Sequence, residues 1–223
     1  HIVTAIRTLI DKTRFFEAKI KNIDPYGKTV TLYGTAENRG VQLHYDFLVV
    51  ALGSQTNFFG MKDVEDNAYT MKTLNDAVVL RNRIIDMMEQ AENETDPILR
   101  KSLLRFIMVG GGFAGVETAG EINDFVTDIS KYYPNIQTED IKITLVEATS
   151  EILTGFPRKL ANFAKTKLME RGVEVLLNFG VRSFDGKQVY LENLKKSNNK
   201  QDKTILASTL VWTAGVTPID LIK

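Results

Sequence analysis

The sequence predicts an α/β fold in which a parallel sheet flanked by helices follows a smaller β-rich portion. Three observations carry this. From Leu104 the pattern runs strand, glycine loop, helix, strand, helix, strand. A glycine-rich turn, Gly110-Gly-Gly-Phe-Ala-Gly115, follows an apolar strand directly. On either side of Asp24-Pro-Tyr-Gly27, apolar residues alternate with polar ones at the two-residue period of half-buried strands.

Composition sets the outer bounds. At 223 residues the chain holds one large domain or two small ones. Lysine plus arginine equals aspartate plus glutamate at 28 each, so no basic excess points to nucleic acid as a partner. The longest apolar run, Phe47-Leu-Val-Val-Ala-Leu52, falls far short of the roughly 20 residues of a membrane helix. Arg7, Asp11, Lys12, Arg14 and Glu17 break any signal-peptide pattern. With no cysteine and only His1 and His44, thiol chemistry is excluded from this stretch and no metal site is expected. The chain begins with His1 instead of methionine and reads as a piece of a longer one.

The elements follow in order. Asp24-Pro-Tyr-Gly27 turns between strands over residues 15–23 and 28–33, with Lys19, Lys21 and Lys28 on the solvated face. Residues 41–52 continue as a third strand that becomes wholly apolar, as a buried central strand does. Residues 55–70 read as irregular and contain Phe58 and Phe59. Helical spacing over residues 74–91 puts Leu74, Ala77, Val78, Ile84, Ile85 and Met88 on one side, with Thr73 as N-cap. Residues 92–99 form a connection or a short helix. Strands are then expected over 106–109, 141–146 and 173–177, helices over 116–132 and 159–171, and strand-like segments over 187–191 and 204–213. The polar run 195–203 reads as a solvated hairpin loop. A boundary near residues 60–73 divides the chain into portions 1–72, 73–216 and 217–223.

The chemistry resides in the glycine turn. Gly110, Gly112 and Gly115 occupy the three positions of G-x-G-x-x-G after the strand Phe106-Ile-Met-Val109. The first allows a tight turn, the second leaves room for a pyrophosphate, and the third lets the helix approach the sheet. Phosphates then sit on the helix N-terminus, at free N–H groups and the positive end of the dipole. Small Ala119 falls at a packing position, and Glu147 closes the next strand. A carboxylate there accepts from both ribose hydroxyls and repels a 2′-phosphate, which favours NAD(H) over NADP(H). This is a Rossmann-like βαβ unit. One feature departs from the pattern: Gly110 to Glu147 spans 37 residues where about 20 are usual. The surplus lies in residues 123–140, and the sequence leaves open whether it is a neutral insertion or a functional surface.

With that motif and its surroundings, the chain resembles the type II NADH:quinone oxidoreductases, or alternative NADH dehydrogenases, within the FAD-dependent pyridine nucleotide-disulfide oxidoreductase superfamily. Tyr45-Asp-Phe-Leu-Val-Val-Ala-Leu-Gly-Ser54, Asn57-Phe-Phe-Gly60, Gly110 through Gly120, Leu145-Val-Glu-Ala148, Ile152-Leu-Thr-Gly-Phe-Pro157 and Leu210-Val-Trp-Thr-Ala-Gly-Val216 carry the resemblance. The long insertion is itself a feature of the family. The resemblance implies a Rossmann-like NADH-binding domain with a flanking β-rich portion of an FAD-binding domain. No second glycine motif precedes Leu9, and no closing Gly-Asp motif is present. The expectation is therefore a piece that binds NADH weakly, holds FAD poorly or not at all, and lacks quinone reductase activity by itself.

The same resemblance implies the site. NADH is bound at Gly110, Gly111, Gly112, Phe113, Ala114, Gly115, Glu147 and Ala148, while Gly53, Ala214, Gly215 and Val216 let backbone approach cofactor. Glu117 is the implied catalytic residue, facing nicotinamide and flavin; read without the resemblance, it is a carboxylate near a helix N-terminus. In the whole protein, hydride passes from NADH to FAD and electrons pass to a quinone through the C-terminal region. A homodimer, peripheral membrane association and a cytoplasmic site at the inner face of the cell membrane complete the expectation. Phe58 and Phe59 are read as core in preference to a shield on the flavin side, Trp212 as core, and Glu121 and Asp124 as a solvated face. Two other functions stay open at this point: another FAD/NAD-linked reductase (disulfide or ferredoxin), and a non-catalytic NAD(H)-sensing module.

Overall fold

The computed structural model describes residues 4–10, 12–33, 40–195 and 201–222. Its contacts divide the chain into a smaller unit, His1–Gln55 with Pro218–Lys223, and a larger one, Thr56–Thr217. By contacts, the first division falls after Gln55.

In the smaller unit β1 (Lys19–Asp24), β2 (Thr29–Tyr33) and β3 (Val41–His44) form an antiparallel meander. Its first turn is closed by the Asp24 carboxylate, whose Oδ1 accepts the N–H groups of Tyr26 and Gly27 at 3.0 and 2.9 Å. Such side-chain capture is why Asp opens so many turns. Val30 and Leu32 are buried, and Lys19, Lys21 and Lys28 are exposed as expected. The apolar run that follows is not a buried strand. β3 ends at His44, Phe47 is 96% exposed and Val49 88%, and no strand is assigned over residues 45–53. Apolar character alone does not bury a strand; ladder partners and covering elements do. β4 (Ser54–Thr56) pairs with β13 (Val216–Pro218) in a two-stranded sheet.

The larger unit holds α1 (Lys62–Asn67), β5 (Tyr69–Thr70), α2 (Leu74–Asn93), α3 (Pro97–Leu103), β6 (Arg105–Val109), α4 (Phe113–Ser130), β7 (Lys142–Glu147), α5 (Arg158–Glu170), β8 (Glu174–Leu177), β9 (Phe179–Phe184), β10 (Gln188–Asn193), β11 (Lys203–Leu206) and β12 (Thr209–Trp212). Five strands make a parallel sheet in the order β5-β12-β6-β7-β8. The stretch expected to be irregular therefore supplies a helix and an edge strand. The period of two divides β6 between two cores. Phe106 and Met108 pack with Ile84, Met88, Ala119, Ile122 and Leu145 under the helices, while Ile107 and Val109 face Val64, Phe184, Val189, Leu210 and Trp212. The second face is covered not by long helices but by α1 and the antiparallel sheet β9–β10–β11.

Local chemistry sets the element ends. Thr73 caps α2 in a reciprocal box: its hydroxyl accepts the Asp76 N–H at 3.1 Å, and the Asp76 carboxylate accepts the Thr73 N–H at 3.1 Å. The buried stripe of α2 is Leu80, Ile84, Met87, Met88 and Ala91. Leu74 and Val78, read on the apolar side, are exposed, whereas Ala77, Leu80 and Ile84 border a groove against α4. Asp96 and Pro97 start α3. α4 begins three residues earlier than expected, since Gly112 is its N-cap and the end of the glycine motif is already helical. After α4 the added segment folds onto α2: Tyr133 and Ile136 are buried, and the Tyr133 hydroxyl donates to Glu89 at 3.0 Å.

Residues 204–213 are two strands in two different sheets, separated where Ala207 N–H bonds the Lys187 carbonyl and Ser208 N–H the Ser102 carbonyl, both at 3.0 Å. β9 was not foreseen; a single residue, Asn178 with φ of 63°, turns the chain from β8 into it. The polar run 195–203 joins antiparallel β10 and β11, and its residues 196–200 lie outside the described residues. Among the described residues no helix is long and apolar enough to cross a membrane.

Candidate functional site

The glycine loop lies where β6 ends at the carboxyl edge of the parallel sheet, the edge at which open α/β sheets bind ligands. Gly110 has a φ of 108°, a region that side-chain-bearing residues rarely enter. A Cβ on Gly115 would lie 1.8 Å from the Gly110 carbonyl oxygen, so only glycine lets α4 start so close to the strand. A Cβ on Gly112, by contrast, would meet nothing within 4 Å, which leaves the loop open on its outer side. The first amides of α4 have no intrahelical acceptor.

Glu147 completes the loop. Its Oε2 accepts the Gly111 N–H and its Oε1 the Thr149 N–H at 2.8 Å. The segment after β7 folds back over the same loop, with the Leu153 N–H bonded to the Gly111 carbonyl at 2.7 Å. Thr213 locks the other side: its hydroxyl donates to the Val109 carbonyl at 2.8 Å.

These groups open on a cleft of about 580 Å³ that includes Gly110, Gly112, Glu147, Ala148, Ala214 and Gly215. That volume lies in the range of cofactor pockets, roughly 300–1,000 Å³. An open glycine, helix-end amides and a carboxylate at the next strand end are the donor and acceptor set that a pyrophosphate and a ribose require. By that test the residues present fit a dinucleotide.

Other expected positions are distributed differently. Phe113, half-exposed, stacks edge-on against Phe156 with centroids 4.7 Å apart. Ala114 and Glu117 border a second groove of about 450 Å³ between α2 and α4, with Arg81, Leu80, Glu121 and Phe125. Glu117 is exposed there and does not join Glu147 in the first cleft. Val216 is exposed at the start of β13, and Gly53 lies in the smaller unit. Trp212 is buried as expected, its Nε1–H bonded to the Asn57 carbonyl at 3.0 Å. Phe58 packs beside it, whereas Phe59 is 64% exposed and lines the cleft. Glu121 is solvated, and Asp124 pairs with Arg171.

Sequence reasoning missed Thr149, Leu153 and Thr213 as partners of the loop. Leu153 and Thr213 stand inside the segments that carried the resemblance, but their partners are 42 and 104 residues away. Nothing in a local pattern names such partners.

Comparison with known proteins agrees with the geometry. The description "Pyridine nucleotide-disulphide oxidoreductase" belongs to the family that matches residues 5–223. Among curated relatives, the mitochondrial external alternative NADH-ubiquinone oxidoreductase of Yarrowia lipolytica is 33% identical over 210 residues, covering 92% of this chain and 36% of the relative. A probable NADH dehydrogenase of Dictyostelium discoideum is 32% identical, covering 100% of this chain and 49% of the relative. The solved NDH2 from Plasmodium falciparum in complex with NADH superposes with a TM-score of 0.81 at 27% identity, covering 93% of this chain and 42% of that one. The chain thus spans between about a third and a half of the length of these relatives. With a family match over nearly its whole length and the glycine loop formed as described, the chain belongs to the pyridine nucleotide-disulphide oxidoreductase family.

Proposed function

We propose that this chain is the NADH-binding part, with a flanking portion of the FAD-binding part, of a flavin-dependent NADH dehydrogenase of the NADH:quinone oxidoreductase type. The observation that carries the reading is the joint geometry of Gly110, Gly115 and Glu147, a tight turn into a helix N-terminus with a carboxylate beside it, which suits a pyrophosphate and a ribose. The names of the relatives support the reaction class. When bound, NADH supplies the hydride, FAD accepts it, and a quinone receives the electrons.

The chain's own residues bind and orient. Gly110, Gly112, Phe113, Ala114 and Gly115 present backbone to the pyrophosphate, Gly111 braces the loop against Glu147, and Glu147 with Ala148 holds the adenosine ribose. Ala214 and Gly215 border the same cleft, with Val216 next in the chain; Gly53, in the smaller unit, is proposed separately as a point where backbone approaches cofactor. Glu117 would act on the nicotinamide side once its groove is covered, orienting the amide or holding a proton. Homodimer formation and peripheral attachment at a quinone-bearing membrane belong to the same proposal for the whole protein.

Calorimetric titration with NADH and NADPH tests the reading, alongside Glu147→Ala. Preference for NADH that disappears in the variant supports it. No binding of either nucleotide by a folded sample overturns it for this chain.

A further inference from the structure

Gly111 fills a variable position of the G-x-G-x-x-G pattern, yet its neighbours leave it no room for a side chain. A Cβ there would lie 2.8 Å from Glu147 Oε2, 2.9 Å from Glu147 Cγ and 3.0 Å from Ile152 Cγ2. Its backbone is outside the left-handed region that favours glycine, so conformation does not require glycine here. What glycine supplies is the close approach of Glu147. At that distance the Gly111 N–H reaches Oε2 while the Thr149 N–H takes Oε1, and the carboxylate is held from both ends on the wall of the cleft. Each carboxylate oxygen keeps a further lone pair for a ligand.

We propose that Gly111 sets nucleotide discrimination at this site. It seats the Glu147 carboxylate where an adenosine 2′-hydroxyl is accepted and a 2′-phosphate refused. The proposal rests on the NADH reading above and extends it to a position outside the three fingerprint glycines. Gly111 is a positioning residue, acting through Glu147. Alanine at 111 presses on Glu147 Oε2 and Cγ, which a rotation of the whole side chain relieves, and on a methyl group of Ile152, which yields by a few tenths of an ångström. The fold persists and the carboxylate leaves its seat.

The test is calorimetric titration of the chain and of Gly111→Ala with NADH and with NADPH, each repeated in a Glu147→Ala background. Gly111→Ala is expected to lower the NADH-to-NADPH preference by about tenfold, the worth of one misplaced charge-assisted hydrogen bond. In the Glu147→Ala background the same substitution is expected to leave the ratio unchanged, because the group it acts through is gone. A ratio unaffected by Gly111→Ala, or lowered equally in both backgrounds, overturns the proposal alone. Binding of neither nucleotide by the unaltered chain overturns the NADH reading and this one with it. Should Gly111→Ala fail to fold, Glu147→Asp keeps the charge but is too short to reach the Gly111 N–H. A comparable loss of preference supports the proposal, and full retention overturns it.

Discussion

Two apolar runs of this chain read alike and end differently. Phe106-Ile-Met-Val109 is a central strand with every residue buried, Phe106 at 0% exposure. Phe47-Leu-Val-Val50 is as apolar, yet all four side chains are exposed. The first has parallel neighbours on both sides, β12 and β7, and a cover on each face. The second has no assigned strand partner among the described residues. Composition states what a segment gains by burial; only the surrounding elements deliver it.

The strongest test of that contrast is a matched pair of truncations. Phe106→Ala is expected to cost about 3–5 kcal/mol, and Phe47→Ala to stay within about 0.5 kcal/mol, both read by denaturant unfolding of this chain. Equal losses would mean that the second run is covered after all.

A smaller effect tests the cover itself. Thr73→Ala removes the cap of α2 and is expected to cost about 1 kcal/mol, speeding amide exchange in β6 but not at residues 47–50. Partial burial pushes the Asp76 carboxyl up, but hydrogen bonds from the Lys72 and Thr73 amides and the Thr73 and Thr70 hydroxyls outweigh it and hold it below 3.8. A depressed folded pKa gives stability that is present above the ordinary value and lost as pH falls through the folded one. The acid limb of the stability profile should therefore be shallower in Asp76→Asn, as equilibrium unfolding between pH 6 and pH 3 (approximate bounds) would read.

An effect of similar size lies where the added segment meets α2. Tyr133→Phe deletes the bond to Glu89 and should cost about 0.5–1.5 kcal/mol. Burial, the Glu89 hydrogen bond and the negative charges of Glu89 and Glu92 raise the Tyr133 hydroxyl above 10.0. Its contribution is therefore complete below pH 10 and is lost as pH rises through the folded value. The phenylalanine variant should lack that alkaline loss in thermal melts, and a profile identical to the parent's would remove Tyr133 from the account.

Much of this was legible in advance where the signal is local. The Asp24 turn, the Thr73 cap and the glycine loop each depend on residues a few positions apart, and each formed as read. The failures in α2 and in residues 204–213 involve distance. α2 buries Leu80, Ile84, Met87, Met88 and Ala91, while Leu74 and Val78 of the stripe its periodicity suggested stay exposed, because burial depends on which distant elements pack against each turn. Residues 204–213 alternate like one strand, but pairing with Lys187 and Ser102 splits them.

The sequence by itself determined that β6, the glycine loop and α4 would form a βαβ start, because backbone sterics at Gly110 and Gly115 admit little else. It also determined that Glu147 would close the next strand. Tertiary structure alone decided that Gly111 would reach the Glu147 carboxylate, that Thr213 would brace the loop, and that Glu117 would border a separate groove. The physical reason is that hydrogen bonds and burial between residues tens of positions apart are fixed by how whole elements pack, which no window of neighbouring residues encodes.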